Sequence, residues 1–568
     1  MKNPHYTLMN PINIKHIGTG TPYPLHERLG LNFQCYNIVV KGLNKHLQAH
    51  DVLNVMYGYR RSTMSEDKLV EDYFRGNVPY HKVIKDEHYY AALKRMDELF
   101  KPPGKLHPVH YADLRFYPWT LPTSVEAPFS ESEWHRKVVE VKFQRGLIPD
   151  TRMTFHNLYN EVFVHNRTTF HRIKDGIYTD VQGRDAKYWN TAHARSHLVK
   201  ATDPDKIRMV FGVPKLLLMA EMSFVWPIFN HLLNLEQHSP MLWGFETFKG
   251  GWYKLRKYFS EYHPRLKTFL SLDWSQFDKR ARFEVIDDIH SIWREWFDFS
   301  RYWPTHWYPD AHTDTWRIEN LWNWMTDAIK HTPDKLPNGN LYQRQHAGIA
   351  SGFLQTQFLD SCYNTIMVLT TLSRMGYDIT KIVLKVQGDD SLVGLLTSIP
   401  DIVHQSFLDT FAHYAEEYFG AILSTKKSKI HNSLDHVHVL GFKNVNGHPY
   451  REEQELLASL LHPERGMDQS RLMARAIGIS YANCGVSTSV YAVCEDIYGY
   501  LKSQGFSPNK SGIPDMIKYL YIDQQLPEQF LTNLQFPSFF DTFKDLVSTE
   551  FRSDAQKQRL WPLDHFLY

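Results

Sequence analysis

Lys381-Ile-Val-Leu-Lys-Val-Gln-Gly388-Asp389-Asp390-Ser-Leu-Val-Gly-Leu-Leu396 is the stretch on which the reading of this chain turns. Two apolar runs flank a Gly-Asp-Asp, the pattern of a β-hairpin whose tip carries two carboxylates. Taken alone, the tip also fits a solvated turn, because Gly and Asp favour turns in their own right. Its meaning depends on what lies to either side.

Upstream, Lys267-Thr-Phe-Leu-Ser-Leu-Asp273 predicts a buried strand that ends on a carboxylate. An Asp after such a strand also suits a helix cap. Set beside the hairpin, however, Asp273 and Asp389 could act from neighbouring strands of one sheet, with Asp390 as a third. That is the donor set for two-metal nucleotidyl transfer, in which cations about 4 Å apart serve the attacking hydroxyl and the leaving pyrophosphate. Mg²⁺ needs only a few carboxylates, because phosphate oxygens and water complete its shell.

Further elements follow in a fixed order. Asp278, five residues after Asp273, falls near the start of a helix, where it could meet a ribose hydroxyl or simply face the helix dipole. From Arg280 to Phe297, Phe283, Ile286, Ile289, Trp293 and Trp296 recur at three- and four-residue steps, an amphipathic helix. Ser351-Gly352 opens a second helix that stops at Gly376. Gly352 permits close backbone approach to a phosphate or base, and Ser351 can cap the helix. Thr356, Asp360 and Asn364, four apart, share one face, which suits a wet cavity or an ordinary solvent face. Asp360 is read as a buried helix-to-helix hydrogen bond. Alternation in Lys206-Ile-Arg208 sets two cations on one side of a strand, able to neutralise a triphosphate or to remain a solvated pair. Helix is also predicted from Ile402 to Phe419 and throughout most of the chain beyond residue 450. Residues 1 to 200 read as helix and loop.

Composition sets wide bounds. The 568 residues are 43% apolar and 14% aromatic, enough for a large core and for two or three folded units. With 64 Lys+Arg against 62 Asp+Glu the formal charge is +2, which excludes a basic coat but permits a local basic channel. Cys35, Cys362, Cys484 and Cys494 show no CxxC spacing and no disulfide framework, which suits a reducing compartment. The first residues do not resemble a secretory signal. The apolar stretch Leu216–Phe229 is interrupted by Glu221 and Pro227 and reads as too short for a bilayer. No membrane association is expected. His193-x3-His197 and His436-x-His438 lack the accompanying Cys or HExxH pattern of a zinc site. No GxxxxGK[ST] loop is present, which argues against a helicase or similar NTPase module.

Taken in order, Lys206-x-Arg208, Asp273-x4-Asp278, Ser351-Gly-x3-Thr356 with Asn364, and Gly388-Asp389-Asp390 resemble motifs F, A, B and C of viral RNA-dependent RNA polymerases. Lys426-Lys-Ser428 resembles motif D. Val439-Leu-Gly-Phe-Lys443, with Asn446-Gly-His-Pro-Tyr-Arg451, resembles motif E. Leu460-Leu-His-Pro-Glu464 and Arg475-Ala-Ile-Gly-Ile-Ser-Tyr-Ala-Asn483 are similar to partitiviruses and their double-stranded RNA relatives. The resemblance spans roughly residues 190 to 485.

It implies an α+β right-hand polymerase whose palm is a ferredoxin-like sheet. The corresponding division is 1–265 as N-terminal extension and fingers, 266–300 as palm with motif A, 301–345 as a fingers insertion, 346–450 as palm with motifs B to E, and 451–568 as thumb and C-terminal region. By the same resemblance Asp273, Asp389 and Asp390 bind Mg²⁺ or Mn²⁺. Lys427, favoured over Lys426 and Lys429, protonates pyrophosphate. Lys206 and Arg208 hold the triphosphate, Asp278 and Asn364 recognise the 2′-hydroxyl, and Ser351, Gly352 and Thr356 support them. RNA template and product, ribonucleoside triphosphates and a viral capsid protein are the implied partners, in the virion interior or host cytoplasm, with de novo initiation. Two rival readings share the motif order. A reverse transcriptase would place a bulky aromatic near the sugar, where this chain offers Asp278 and Asn364. A catalytically silent, particle-structural descendant would have no reason to keep Asp273, Asp389 and Asp390.

Overall fold

Thr268–Leu272 is apolar at most positions and buried on both faces, as suits a strand in the middle of a sheet. The computed structural model, which describes residues 12–25, 30–513 and 534–568, sets it third in an antiparallel sheet ordered Val383–Gln387, Asp390–Leu395, Thr268–Leu272, Lys429–His431. Gln387 pairs with Asp390, so the predicted hairpin turns on Gly388 and Asp389 alone. Gly388 takes φ +63°, a conformation available to it because it lacks a Cβ. Ser391 pairs with Leu272, and one further step of that ladder sets Asp273 level with Asp390.

Helices Phe283–Glu295, Thr356–Arg374 and His404–Phe419 pack in the core that includes this sheet. The first buries Phe283, Ile286, Ile289 and Trp293, the predicted stripe, and Trp293 stacks on Phe358 of the second with ring centroids 4.5 Å apart. Gly420 ends the third in the left-handed conformation.

A second sheet, not foreseen from the sequence, has five strands in the order Ile14–Thr19, Asn340–Arg344, Asp334–Lys335, Asn190–Ser196, Ile207–Gly212. It joins segments more than 300 residues apart and holds the Lys206–Arg208 stretch beside the first sheet's hairpin tip, as the shared cavity described below requires. Helices do predominate among the described residues before 200, yet four strands occur among them as well.

The C-terminal part is helical, as expected, with Glu453–Leu461, Gln469–Ala482 and Thr488–Ser503. Their core is shared with Cys35, Val39, Leu43, Val52 and Val55 from the N-terminal helices Phe33–His46 and Ala49–Tyr57. Trp561 and Phe566, near the other end, pack instead into the main core, where the Trp226 indole donates to the Leu560 carbonyl (2.8 Å).

The apolar stretch around Leu216–Phe229 departs from its reading. It forms one helix, Lys215–Asn234, long and apolar enough by length and composition to cross a membrane, and mostly buried within the protein. Pro227 does not end it. Proline removes the donor for the carbonyl four residues back, and here the Val109 N–H donates to that carbonyl, Ser223 (2.7 Å), from another segment.

Candidate active site

Asp273 follows directly on the Thr268–Leu272 strand, and both of its backbone groups are held. Its N–H donates to the Ser428 hydroxyl (3.0 Å), and its carbonyl accepts from the Ser424 N–H (2.8 Å). Ser428 is buried, so this clamp is shielded from competing water. The same turn carries Lys427, whose ammonium stands 3.9 Å from the Asp273 carboxylate. Sequence reading gave the turn a lysine; the two serines that grip Asp273 were missed, although Ser428 lay inside the quoted motif.

Asp389 occupies the hairpin tip and Asp390 begins the strand after it, so successive side chains leave on opposite sides. Asp389 lines the central cavity. Its carboxyl is raised above the ordinary carboxylate range, first by the protein enclosing it and then by the charge of Asp278. Asp390 is not among the cavity-lining residues. Its carboxyl accepts from the Leu440 N–H and is pushed up to about 6, by burial first and then by Asp389. Asp390 therefore stands behind the tip, within electrostatic reach of Asp273 and Asp389 but facing the Leu440 turn.

Asn364 also lies outside the cavity, fully buried. Its amide donates to the Gly388 carbonyl (3.1 Å) and the Asp389 carbonyl (3.0 Å), and its oxygen accepts from the Trp274 indole (2.9 Å). Both N–H groups are committed to fixing the tip against the Asp273 strand. The direct sugar contact expected of Asn364 is replaced by this clamp.

Asp278 sits in the first turn of a short helix, Phe277–Arg280, entered through Gln276 at φ +55°. That left-handed residue turns the chain so that Asp278 re-enters the cavity beside Asp273. The Ser351 hydroxyl donates to the Asp278 carboxylate (3.0 Å), and the Ile349 N–H donates to the Asp278 carbonyl (2.7 Å). Ser351 thus serves Asp278 and does not cap the following helix, whose N-cap is Gln355. The helix start is met instead by Glu221, which accepts from the Leu354 and Gln355 N–H groups (3.2 and 3.1 Å).

Gly352 and Thr356 shape this loop from outside the cavity. A side chain at Gly352 would collide with the carbonyl oxygen of Phe211, on the Ile207–Gly212 strand. The close approach that glycine was expected to permit is therefore to that strand, where the Phe211 N–H donates to the Ser351 carbonyl (3.1 Å). Thr356 donates to the Ala350 carbonyl (2.8 Å) and closes the loop. The polar stripe Thr356, Asp360, Asn364 turns inward to the protein, not to a wet cavity: Asp360 and Asn364 are buried.

The cavity, about 440 Å³, is lined by Asp273, Asp278 and Asp389 among its carboxylates and by Lys206, Arg208 and Lys427 among its cations. Arg208 makes no side-chain hydrogen bond or ion pair among the described residues and is left available to a ligand. His197 adds no charge: burial, then Lys206 and Arg208, push its imidazole down to about 4. Arg344 also lines the wall, fixed to Asp334 at 3.1 Å, while Tyr73 and Asn190 donate to the same carboxylate (3.0 Å each). Nothing in the sequence pattern marked Arg344 or Asp334, which lie around the turn Leu336-Pro-Asn-Gly339.

The donor set suits hard divalent cations. Among the described residues no three acidic or imidazole side chains converge to hold an ion unaided. Two cavity-facing carboxylates beside bound triphosphate is the arrangement Mg²⁺ accepts, since phosphate and water supply its other ligands. The elevation of Asp389 by Asp278 and Asp273 is a repulsion that a cation placed between them would cancel.

Comparison with known proteins agrees with this geometry. The family model described as viral RNA-dependent RNA polymerase matches residues 161–497. The RNA-directed RNA polymerase of White clover cryptic virus 1 is 33% identical over 577 residues, covering 93% of this chain and 91% of that one. That of Atkinsonella hypoxylon virus is 27% identical over 439 residues, 69% of this chain and 64% of its own. Among solved structures, a Sicinivirus RNA-dependent RNA polymerase superposes with a TM-score of 0.61 over 87% of this chain and 96% of its own, at 14% identity, which is a likeness of fold.

Proposed function

The chain belongs to the viral RNA-dependent RNA polymerases, and on that premise we propose which of its residues do the work. Its right-hand fold and its activity, joining ribonucleotides on an RNA template by two-metal nucleotidyl transfer, are those of the family, and its relatives include partitivirus enzymes. The observation that carries the residue assignment is that Asp273, Asp278 and Asp389 line one cavity together with Lys206, Arg208 and Lys427.

Asp273 and Asp389 would hold two divalent ions, Mg²⁺ or Mn²⁺, with Asp390 supporting them from behind the hairpin tip. When bound, such ions activate the 3′-hydroxyl and stabilise the departing pyrophosphate. Arg208 and Lys206 grip the triphosphate, Arg208 making no side-chain hydrogen bond or ion pair among the described residues. Lys427, held near Asp273, delivers a proton to the pyrophosphate. Asp278, oriented by Ser351, accepts from the ribose 2′-hydroxyl. Gly352, Thr356 and Asn364 act through the backbone they position.

The division into subdomains is supported by the larger sheets. Residues 266–300 and 346–450 are read as the palm, and they share the four-stranded sheet. Residues 1–265 and the insertion 301–345 are read as the fingers, and strands from both share the five-stranded sheet. Residues 451–568 form the thumb and C-terminal region, onto which the two N-terminal helices pack. A polymerase of this family takes RNA and ribonucleoside triphosphates as partners; that it works with a viral capsid protein and resides in the virion interior or host cytoplasm is part of the same proposal.

An incorporation assay on single-stranded RNA, with Mg²⁺ or Mn²⁺ and with or without primer, tests the reading. Asp278→Ala should retain incorporation while lowering ribo-over-deoxy preference by about tenfold or more, since sites built to bond a substrate hydroxyl discriminate strongly. An unchanged preference would move sugar recognition elsewhere.

A further inference from the structure

Lys206 and Arg208 reach the cavity without side-chain support: neither makes a side-chain hydrogen bond or ion pair among the described residues. Their backbone therefore decides where they stand. The Ile207–Gly212 strand pairs antiparallel with Asn190–Ser196, and the His197 N–H donates to the Lys206 carbonyl (3.0 Å). The connection between these strands is held from a distant segment. Its Leu198–Lys200 part pairs with Tyr59–Arg61, and the turn that follows, Ala201-Thr-Asp-Pro-Asp205, is gripped from the same place.

A single guanidinium makes most of that grip. Arg60 donates from Nε to the Ala201 carbonyl (3.4 Å), from Nη2 to the Asp203 carbonyl (2.6 Å) and from Nη1 to the Asp205 carboxylate. The Thr63 N–H donates to the same Asp205 oxygen (3.1 Å), and the Lys68 ammonium takes the other. The next residue, Lys206, gives its N–H to the buried Ser62 hydroxyl (2.9 Å), while the Ser62 N–H donates to the His197 carbonyl (2.9 Å). Lys68 first, then Arg60, hold the Asp205 carboxyl well below the ordinary range. An isolated surface ion pair would add little. A planar fork bonded to three acceptors of one turn, with a second cation closing the carboxylate, fixes geometry as well as charge.

We propose that Asp205 is a positioning residue for nucleotide binding: its carboxylate, gripped by Arg60, Lys68 and the Thr63 N–H, fixes the entry to the Ile207–Gly212 strand and so aims Lys206 and Arg208 at the triphosphate. This rests on those two cations being the triphosphate contacts. Asp205 is not among the cavity-lining residues; it acts through the backbone that follows it.

Asp205→Ala removes the carboxylate, and Arg60→Lys keeps the charge but loses the fork. The readouts are nucleotide KM and kcat for incorporation by the full chain with Mg²⁺, with affinity for the RNA template measured separately. Asp205→Ala should raise the nucleotide KM about fivefold, with kcat and template affinity within about twofold of native, because a misaimed binding group costs less than a missing one. Arg60→Lys should raise KM in the same way. The double variant should lose less than the product of the two single effects, since both act through one contact. A native KM in Asp205→Ala, with or without a loss of thermal stability, overturns the proposal. So does a KM rise matched by an equal fall in kcat, or fully multiplicative losses in the double variant. Arg208→Ala separates the two levels. If it leaves KM unchanged, the triphosphate reading fails and this inference falls with it; if it raises KM while Asp205→Ala does not, this inference fails alone.

Discussion

Acids of two kinds lie in this part of the molecule and are handled in opposite ways. Asp273 and Asp389 face an open cavity with Arg208 and Lys427 nearby, whereas Asp360, on the Thr356–Arg374 helix, is buried and leaves Oδ1 without a hydrogen-bond partner among the described residues. Like charges repel, and a low-dielectric surrounding strengthens the repulsion. Where solvent and ligand have access, a metal cation can relieve it. Where they do not, burial favours the neutral acid, and the Asp360 carboxyl is held well above the ordinary range, first by burial and then by the charge of Asp278. Access separates acids suited to a metal from acids kept neutral.

The strongest way to break this contrast is at the open pair. Asp389→Ala should lower incorporation at least about a thousandfold, on the scale seen when a charge-stabilising group is removed. RNA binding and thermal stability should change little, because Asp389 stands at a turn and the clamp from Asn364 reaches its backbone. Near-native incorporation in this variant would take the ions away from the hairpin tip. Next in size, Arg208→Ala should raise the nucleotide KM about tenfold with kcat less affected, as for a group gripping substrate in both ground and transition states. If template affinity fell instead while KM held, the cation would belong to the RNA path.

Much of the open pair was legible beforehand because it follows from local pattern. An apolar run ending in Asp, and a Gly-Asp-Asp between two apolar runs, encode strand and hairpin within a few residues of each carboxylate. Of the five-stranded sheet only the alternation at Lys206-Ile-Arg208 left such a trace. Its strand Asn190–Ser196 alternates buried and half-buried, but the buried positions are Asn190, Ala192, Ala194 and Ser196, small or polar residues in place of the branched ones that announce a strand. The sheet pairs residues 14–19 with 340–344 and 190–191 with 334–335, pairings no local window contains. Asn364, and the polar stripe it shares with Thr356 and Asp360, were misjudged for a related reason. Four-residue spacing puts them on one face but cannot tell whether that face meets water or another strand.

Ser428 offers a subtler disturbance of the same contrast, since it holds Asp273 through the backbone and leaves every carboxyl in place. Ser428→Ala leaves the Asp273 N–H without its buried partner, a loss of about 1 kcal/mol in stability. Incorporation should fall only a few-fold, through kcat, as the Asp273 carboxylate loosens. Sugar selection should not move, because Asp278 is tied to Ser351 and not to this turn. A parallel loss of ribo-over-deoxy preference would show that Asp273 and Asp278 are mechanically one unit.

Glu221 supplies a third case, an acid buried without an acidic neighbour, and it makes the smallest of these effects. It lies inside the Lys215–Asn234 helix, and burial pushes its carboxyl up to about 8 from the ordinary 4.5 despite the two N–H groups donated from the start of the Thr356–Arg374 helix. Because the folded value lies above the unfolded one, the neutral acid is what folding favours. Its contribution is complete below about pH 4.5 and is lost as pH rises through about 8. The native enzyme should therefore lose thermal stability between pH 6 and pH 9 by more than Glu221→Gln does, even though the variant starts slightly lower for want of one acceptor oxygen. Parallel melting curves across that range would mean that the helix N–H groups keep Glu221 ionised, and that donors from the backbone can do for a buried acid what cations do for the open pair.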